Sequence, residues 1–225
     1  NSFMVTHNWW HLALFLTELG RDAEALAVYD LEVWGVAKDY SQDQIGAVSL
    51  LARLELAGID VGPRWDDVAA HLLQRQADHV LPFLDLQYLY GLARAGRGEA
   101  DALLGNIEAH AARAPLSTRA AWAQVCVPAA HGLVAHARGE FAAAIEGLGS
   151  ALPRMLEIGG SHAQRDLFEQ LYLDALVRDG RRATLTAAQG ILQQQRNGQP
   201  ESLRLRRQSG AVYARLGLPA LADRG

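Results

Sequence analysis

Cysteine is almost missing from this chain of 225 residues: Cys126 stands alone, so no internal disulfide can form. A reducing, cytoplasmic setting is the expectation that follows. Lysine is nearly missing too. Lys38 is the one lysine and every other basic side chain is arginine, a bias that, with abundant alanine, fits a GC-rich bacterial coding sequence. Charge of one sign is not in excess: the formal charge is -4 and the pI about 6.1, which predicts no attraction to nucleic acid or to an anionic membrane surface. No apolar run approaches the roughly 18 residues of a spanning helix, and the opening NSFMVTH lacks a secretory pattern and an initiating Met. The expectation is the carboxyl-terminal part of a longer protein. Strand signals are sparse, with little alternation of period two and few β-branched clusters.

Helical signals fill the space. The composition is 50% hydrophobic, enough for a large core. Apolar residues recur at three and four, as in Leu12, Leu16 and Leu19, in Leu26 and Tyr29, and in Leu167, Leu171 and Ala175. Glycine closes one such run after another: Gly20, Gly58, Gly96, Gly139, Gly180 and Gly217, at intervals of 38, 38, 43, 41 and 37 residues. Glycine suits the left-handed residue that ends a helix. Six antiparallel helix pairs are predicted over 7–19/22–38, 42–57/65–77, 81–95/99–113, 117–138/140–157, 162–179/182–197 and 200–216/219 onward. DVGPRW, residues 60–65, is an insertion in the second turn. Ser41-Gln42-Asp43-Gln44 and Ser161-His162-Ala163-Gln164 read as capping boxes. Pro200 and Pro219 fit helix starts, while Pro82 and Pro128 each either start a helix or kink one.

Two pairs carry a tetratricopeptide pattern of large and small residues: Trp9, Leu12, Ala13, Leu16, Gly20, Ala25 and Tyr29 in the first, and Gly132, Ala135, Gly139, Ala144, Leu148 and Ala151 in the fourth. Small residues let paired helices approach and large ones fill the grooves. Most intervals exceed the repeat's usual length of about 34 residues. At a finer level, HNWWHLALFLTELGRDAEALAVYD (7–30) and IGGSHAQRDLFEQLYLDAL (158–176) resemble the tetratricopeptide repeat protein 38 family, grouped with StaR-like proteins. The resemblance implies a single helical-repeat domain over 1–225 and the carboxyl-terminal half of a longer chain. It implies no particular reaction, and no strand–GxGxxG–helix unit speaks for a flavin.

The candidate chemistry concentrates in the same two stretches. His7 and His11 share a helical face and could hold one metal ion, but a third ligand is wanting: Glu18 lies about 10 Å further along the helix. Flanking a packed tryptophan pair is the alternative role. Trp9 is expected in the core and Trp10, with His7, Leu14 and Thr17, on a concave groove. In GGSHAQRD the helix start at Ser161 and the guanidinium of Arg165 could receive an anion; capping accounts for Ser161 and Gln164, and solvated charge is the plainer role for Arg165 and Asp166. Cys126 and His131 sit about 140° apart on a helix and are not a catalytic pair. Asp66 and Asp67 suit a helix start. Arg204, Arg206 and Arg207 read as a solvated basic spot, and His71, His79, His110 and His136 as scattered side chains without partners. The leading expectation is an all-α solenoid, right-handed by analogy with tetratricopeptide repeats, that recognises a peptide, a protein partner or a small metabolite. Its ligand residues would be His7, Asn8, Trp10, His11, Asp30, His162, Gln164, Arg165 and Asp166, with no cofactor, no metal, and self-association through a terminal helix pair as an option. The other expectation is an enzyme in which His7, His11, Asp30, His162 and Arg165 converge, completed by a preceding segment.

Overall fold

A computed structural model describes residues 3–218. These are helical, with no strand among them. The order is α1 (Phe3–Glu18), α2 (Asp22–Val28), α3 (Ser41–Leu56), α4 (Arg64–Leu72), α5 (Pro82–Arg94), α6 (Glu99–Arg113), α7 (Leu116–Ala121), α8 (Val127–Arg138), α9 (Phe141–Ala151), α10 (His162–Asp179), α11 (Arg182–Gly198) and α12 (Leu203–Arg215). The segment predicted from 219 onward lies outside the described residues.

The glycines singled out by the sequence all take positive φ. At Gly139 and Gly180 the reason is plainest: each is the left-handed cap of a helix, with its N–H returned to a carbonyl of the preceding turn. Each of α1, α3, α5 and α8 then lies against the helix that follows its turn, and α10 lies against α11. The tightest approach is between α8 and α9. A Cβ on Gly132 would stand 2.6 Å from the backbone N of Leu148, and one on Gly147 2.8 Å from the Cα of Gly132, so only glycine permits this crossing.

Several local expectations are corrected. Pro82 does start a helix, at the first position of α5. Pro128 is the second residue of α8, which continues from α7 through a π-helical turn at Trp122–Cys126, so the chain is helical on both sides of the proline. Helix α12 starts after Ser202, whose hydroxyl accepts from the N–H of Leu205, and not at Pro200. The predicted second helix over 22–38 ends in a π-helical turn at Tyr29–Val33. Ser161 and Gln164 form the expected reciprocal cap, but Ser41 and Gln44 do not. Gln44 is fully buried and uses its amide to bind the carbonyls of Lys38 and His71 and to accept from Arg75.

The face of α1 also differs. Trp10, Ala13 and Leu16 are buried, whereas Leu12, Phe15 and Leu19 face outward and Trp9 is half-buried. Trp10 is thus more deeply buried than Trp9, because α1 leans on α3 and sets the Trp10 indole against it.

Helices α3, α5, α8 and α10 adjoin one another in the interior, and α10 returns to α3. Arg53 Nη2 donates to the Ala163 carbonyl at 2.7 Å across that junction. At the far end, the carboxylate of Glu18 on α1 accepts from the Ser202 hydroxyl and from Arg204 of α12. The chain therefore curls until its first and last described helices meet. No described helix is long and apolar enough to cross a membrane.

Candidate ligand-binding site

The curl brings α1, α3, α10 and α12 around one pocket of about 200 Å³, open on one side. Its floor is Arg53. The run IGAVSLLARLEL gives α3 apolar residues on every side, so the guanidinium is carried into the core and its side chain is 5% exposed. It survives there by hydrogen bonds: Nη1 donates to the Ser49 hydroxyl at 2.5 Å and Nη2 to Ala163. Asp166 stands 3.7 Å away and the Trp10 ring lies 5.5 Å from the guanidinium carbon. Burial is the main influence on this group, and with the like charge of Arg204 it pushes the Arg53 pKa down to about 10 against the pull of Asp166.

Arg204 and Arg207 of α12 supply the opposite wall, with Glu18 and Thr17 of α1 beside them and Leu14, Leu56 and Ala57 as the apolar part. Arg204 Nε is 3.2 Å from Glu18. The solvated basic spot expected of Arg204, Arg206 and Arg207 is corrected in part: Arg204 and Arg207 line the pocket, Arg207 with its side chain still exposed, and Arg206 turns to Glu201 at 3.8 Å.

The two stretches with the strongest sequence character do meet, though not as a reactive cluster. His7, Trp10 and Gln164 border one narrow slot of about 20 Å³, next to Asp43 and Ser49; this is room for about one water. His7 and His11 face each other with Nε2 atoms 3.1 Å apart, one acting as donor and the other as acceptor. Burial and then the neighbouring His7 lower the pKa of His11. Among the described residues, no three His, Cys, Asp or Glu side chains gather as metal ligands. Trp10 is buried, not an open groove residue, and Asn8 is exposed. Asp30 is taken up in a two-point pair with Arg64 at 2.7 and 2.8 Å, away from the histidines' slot. Arg165 donates to the carbonyls of Gly159 and Gly160, its own preceding loop, so it is a loop clamp and not an anion clamp. His162 borders a separate open groove between α10, α11 and α12, and Asp166 lies between that groove and the Arg53 pocket. The expected convergence of His7, His11, Asp30, His162 and Arg165 is not found.

The histidines read as solitary all have partners. His71 meets Asp39, His79 meets Asp85, and His110 packs on His79 and Trp122. His136 joins Tyr90 (3.2 Å) to Asp174 (2.9 Å) at the rim of an open groove. Burial drives the Tyr90 hydroxyl well above its ordinary range, which leaves it a hydrogen-bond donor to His136, and His136 carries the link from α5 and α8 on to Asp174 of α10. Cys126 is buried with its thiol pushed up, first by burial and then by the charge of Asp85, whereas His131 is exposed.

Arg53, Glu18, Arg204 and Arg207 were not among the expected ligand residues. One signal for Arg53 was present: in a run apolar on most faces of a helix, a charged side chain is carried toward the core and needs polar partners there. No protein-family model matches this sequence, and no solved structure matches its fold.

Proposed function

We propose that this chain is a helical-repeat binding protein of the tetratricopeptide kind, built of about six antiparallel pairs in a right-handed superhelix, whose inner pocket between α1, α3, α10 and α12 takes up a small metabolite. Membership of the tetratricopeptide repeat protein 38 family is part of the same proposal, supported by the two stretches that frame this pocket. The observation that carries the reading is the buried Arg53 at the floor of an open, partly apolar pocket. A desolvated guanidinium costs stability unless something uses its charge, and the apolar wall beside it gives a ligand surface to bury. The size of the pocket favours a metabolite over a folded partner or an extended peptide.

The test uses Ala57→Trp. Ala57 is exposed at the end of α3 with ordinary right-handed backbone, so an indole there fills the pocket without straining the fold. In a thermal-shift screen of metabolites, a true ligand raises the melting temperature of the parent and not of Ala57→Trp. Ligands that stabilise both equally would show that the pocket is not the site.

A further inference from the structure

The charges around the pocket specify the charge of its occupant. Arg204 is answered by Glu18. Arg53 has Asp166 at 3.7 Å, and the same Asp166 oxygen also accepts from Gln170 at 2.5 Å. Arg207 has neither: it forms no ion pair or hydrogen bond with the described residues. Packing holds it instead, with its guanidinium against the backbone of Gly20, where an added Cβ would meet Nη2 at 3.0 Å and Cζ at 3.7 Å. Three arginines thus border the pocket with two carboxylates, and one unit of positive charge is left over. Like charges gathered with too few counter-charges, one of them desolvated, favour entry of an anion.

A single surplus charge matches a monoanion better than a phosphate dianion. The apolar part of the lining is hydrocarbon from Leu14, Leu56 and Ala57. At roughly 30 Å³ per water-sized group, the pocket's 200 Å³ holds about six or seven non-hydrogen atoms, and its open side leaves room for the last carbon of a ligand as long as hexanoate. Resting on the binding reading above, we propose that the ligand is a small aliphatic monocarboxylate. Its carboxylate sits on Arg207 in the field of Arg53 and Arg204, and its tail lies on Leu14 and Leu56. An amine is repelled by the same charges, and an uncharged alcohol leaves Arg207 unused.

Isothermal titration of the whole chain with hexanoate, hexylamine, hexanol and inorganic phosphate tests this. Hexanoate is expected to bind, with phosphate weaker and hexylamine silent. Arg207→Gln is expected to weaken hexanoate about tenfold or more; Arg207 is exposed and unpaired, so the variant keeps its fold. Ala57→Trp is expected to abolish binding. Equal affinity for hexanol, tighter phosphate, silence from hexanoate, or an unaltered Arg207→Gln overturns the carboxylate proposal. So does tighter binding of a leucine-terminated pentapeptide acid than of hexanoate and of the amidated peptide, which would make the occupant a peptide end. Hexanol binding that Ala57→Trp removes would leave the pocket reading standing and only the ligand class refuted.

Discussion

Between Trp10 and Leu171 one apolar core runs without a break through the packed helices, taking in Tyr29, Leu51, Leu89, Leu133 and Phe168. The carboxyl-terminal hairpin of α11 and α12 is organised differently. Its buried side chains, Ala188, Leu192, Leu205 and Val212, form a second and much smaller cluster with Leu173 and Leu176 at the end of α10. From α12 back to α1 the described hydrogen bonds and ion pairs run from Ser202 and Arg204 to Glu18. The pocket lies on this seam: Arg53 comes from the large core, Arg204 and Arg207 from the small one. A site between a rigid wall and a weakly anchored one can open by local movement of the hairpin while the large core stays intact.

The largest expected effect tests the first half of this contrast. Phe168 is buried, edge-on to Phe83 with ring centres 6.3 Å apart. Phe168→Ala is expected to cost about 4 kcal/mol and to lower the urea midpoint for helix loss throughout the chain. A loss confined to α10 would show that the core is not one cooperative unit.

The large core also holds a buried charge. Asp85 is 0% exposed; its Oδ2 lies 2.5 Å from His79 Nδ1 and its Oδ1 finds no partner. Burial, opposed by His79, pushes its pKa up from 3.8 to about 6. A carboxyl raised in this way stabilises the fold fully below its unfolded pKa and loses that contribution as pH rises through about 6. The loss amounts to about 3 kcal/mol. Asp85→Asn is therefore expected to gain on the parent between pH values of about 4 and 7 in urea midpoints. Parallel pH profiles would mean that His79 keeps Asp85 ionised.

In the hairpin, Leu205→Ala removes a fully buried side chain for about 2 kcal/mol, at the lower end for such a deletion because the small cluster can collapse. Amide exchange should speed up in α11 and α12 while α3, α5 and α8 keep their protection. Acceleration in α3 of the same size would merge the two regions into one.

What the sequence showed of this design was its local part. Gly139, Gly180 and the Ser161–Gln164 box announce helix ends because the conformation and the hydrogen bonds involve neighbours in the chain. The rotation of α1 was not legible, since whether Trp9 or Trp10 turns inward depends on how α1 leans on α3, a separate helix. Arg53 and Arg207 were not legible as a pair for the same reason: they lie on α3 and α12, and only the return of α10 to α3 and of α12 to α1 brings them to one cavity. His7, Trp10 and Gln164 were conspicuous in sequence and do meet, but around a space for about one water.

The smallest effect is the sharpest probe of the seam. Glu18 and Arg204 are both partly exposed, at 35% and 25% of their side chains, so their ion pair adds under about 1 kcal/mol to global stability. Glu18→Gln should leave the urea midpoint within about 0.5 kcal/mol of the parent. The same substitution removes the charge that holds Arg204, and with it the tie between α1 and α12. If the hairpin swings on α10, exchange in α12 should rise several-fold at unchanged midpoint. Arg204, released, would then leave two of three pocket arginines without a carboxylate, and hexanoate affinity should rise as hairpin order falls. A variant that shifts the midpoint by as much as Leu205→Ala would instead make Glu18 part of the folded core, and the hairpin would not be a movable wall.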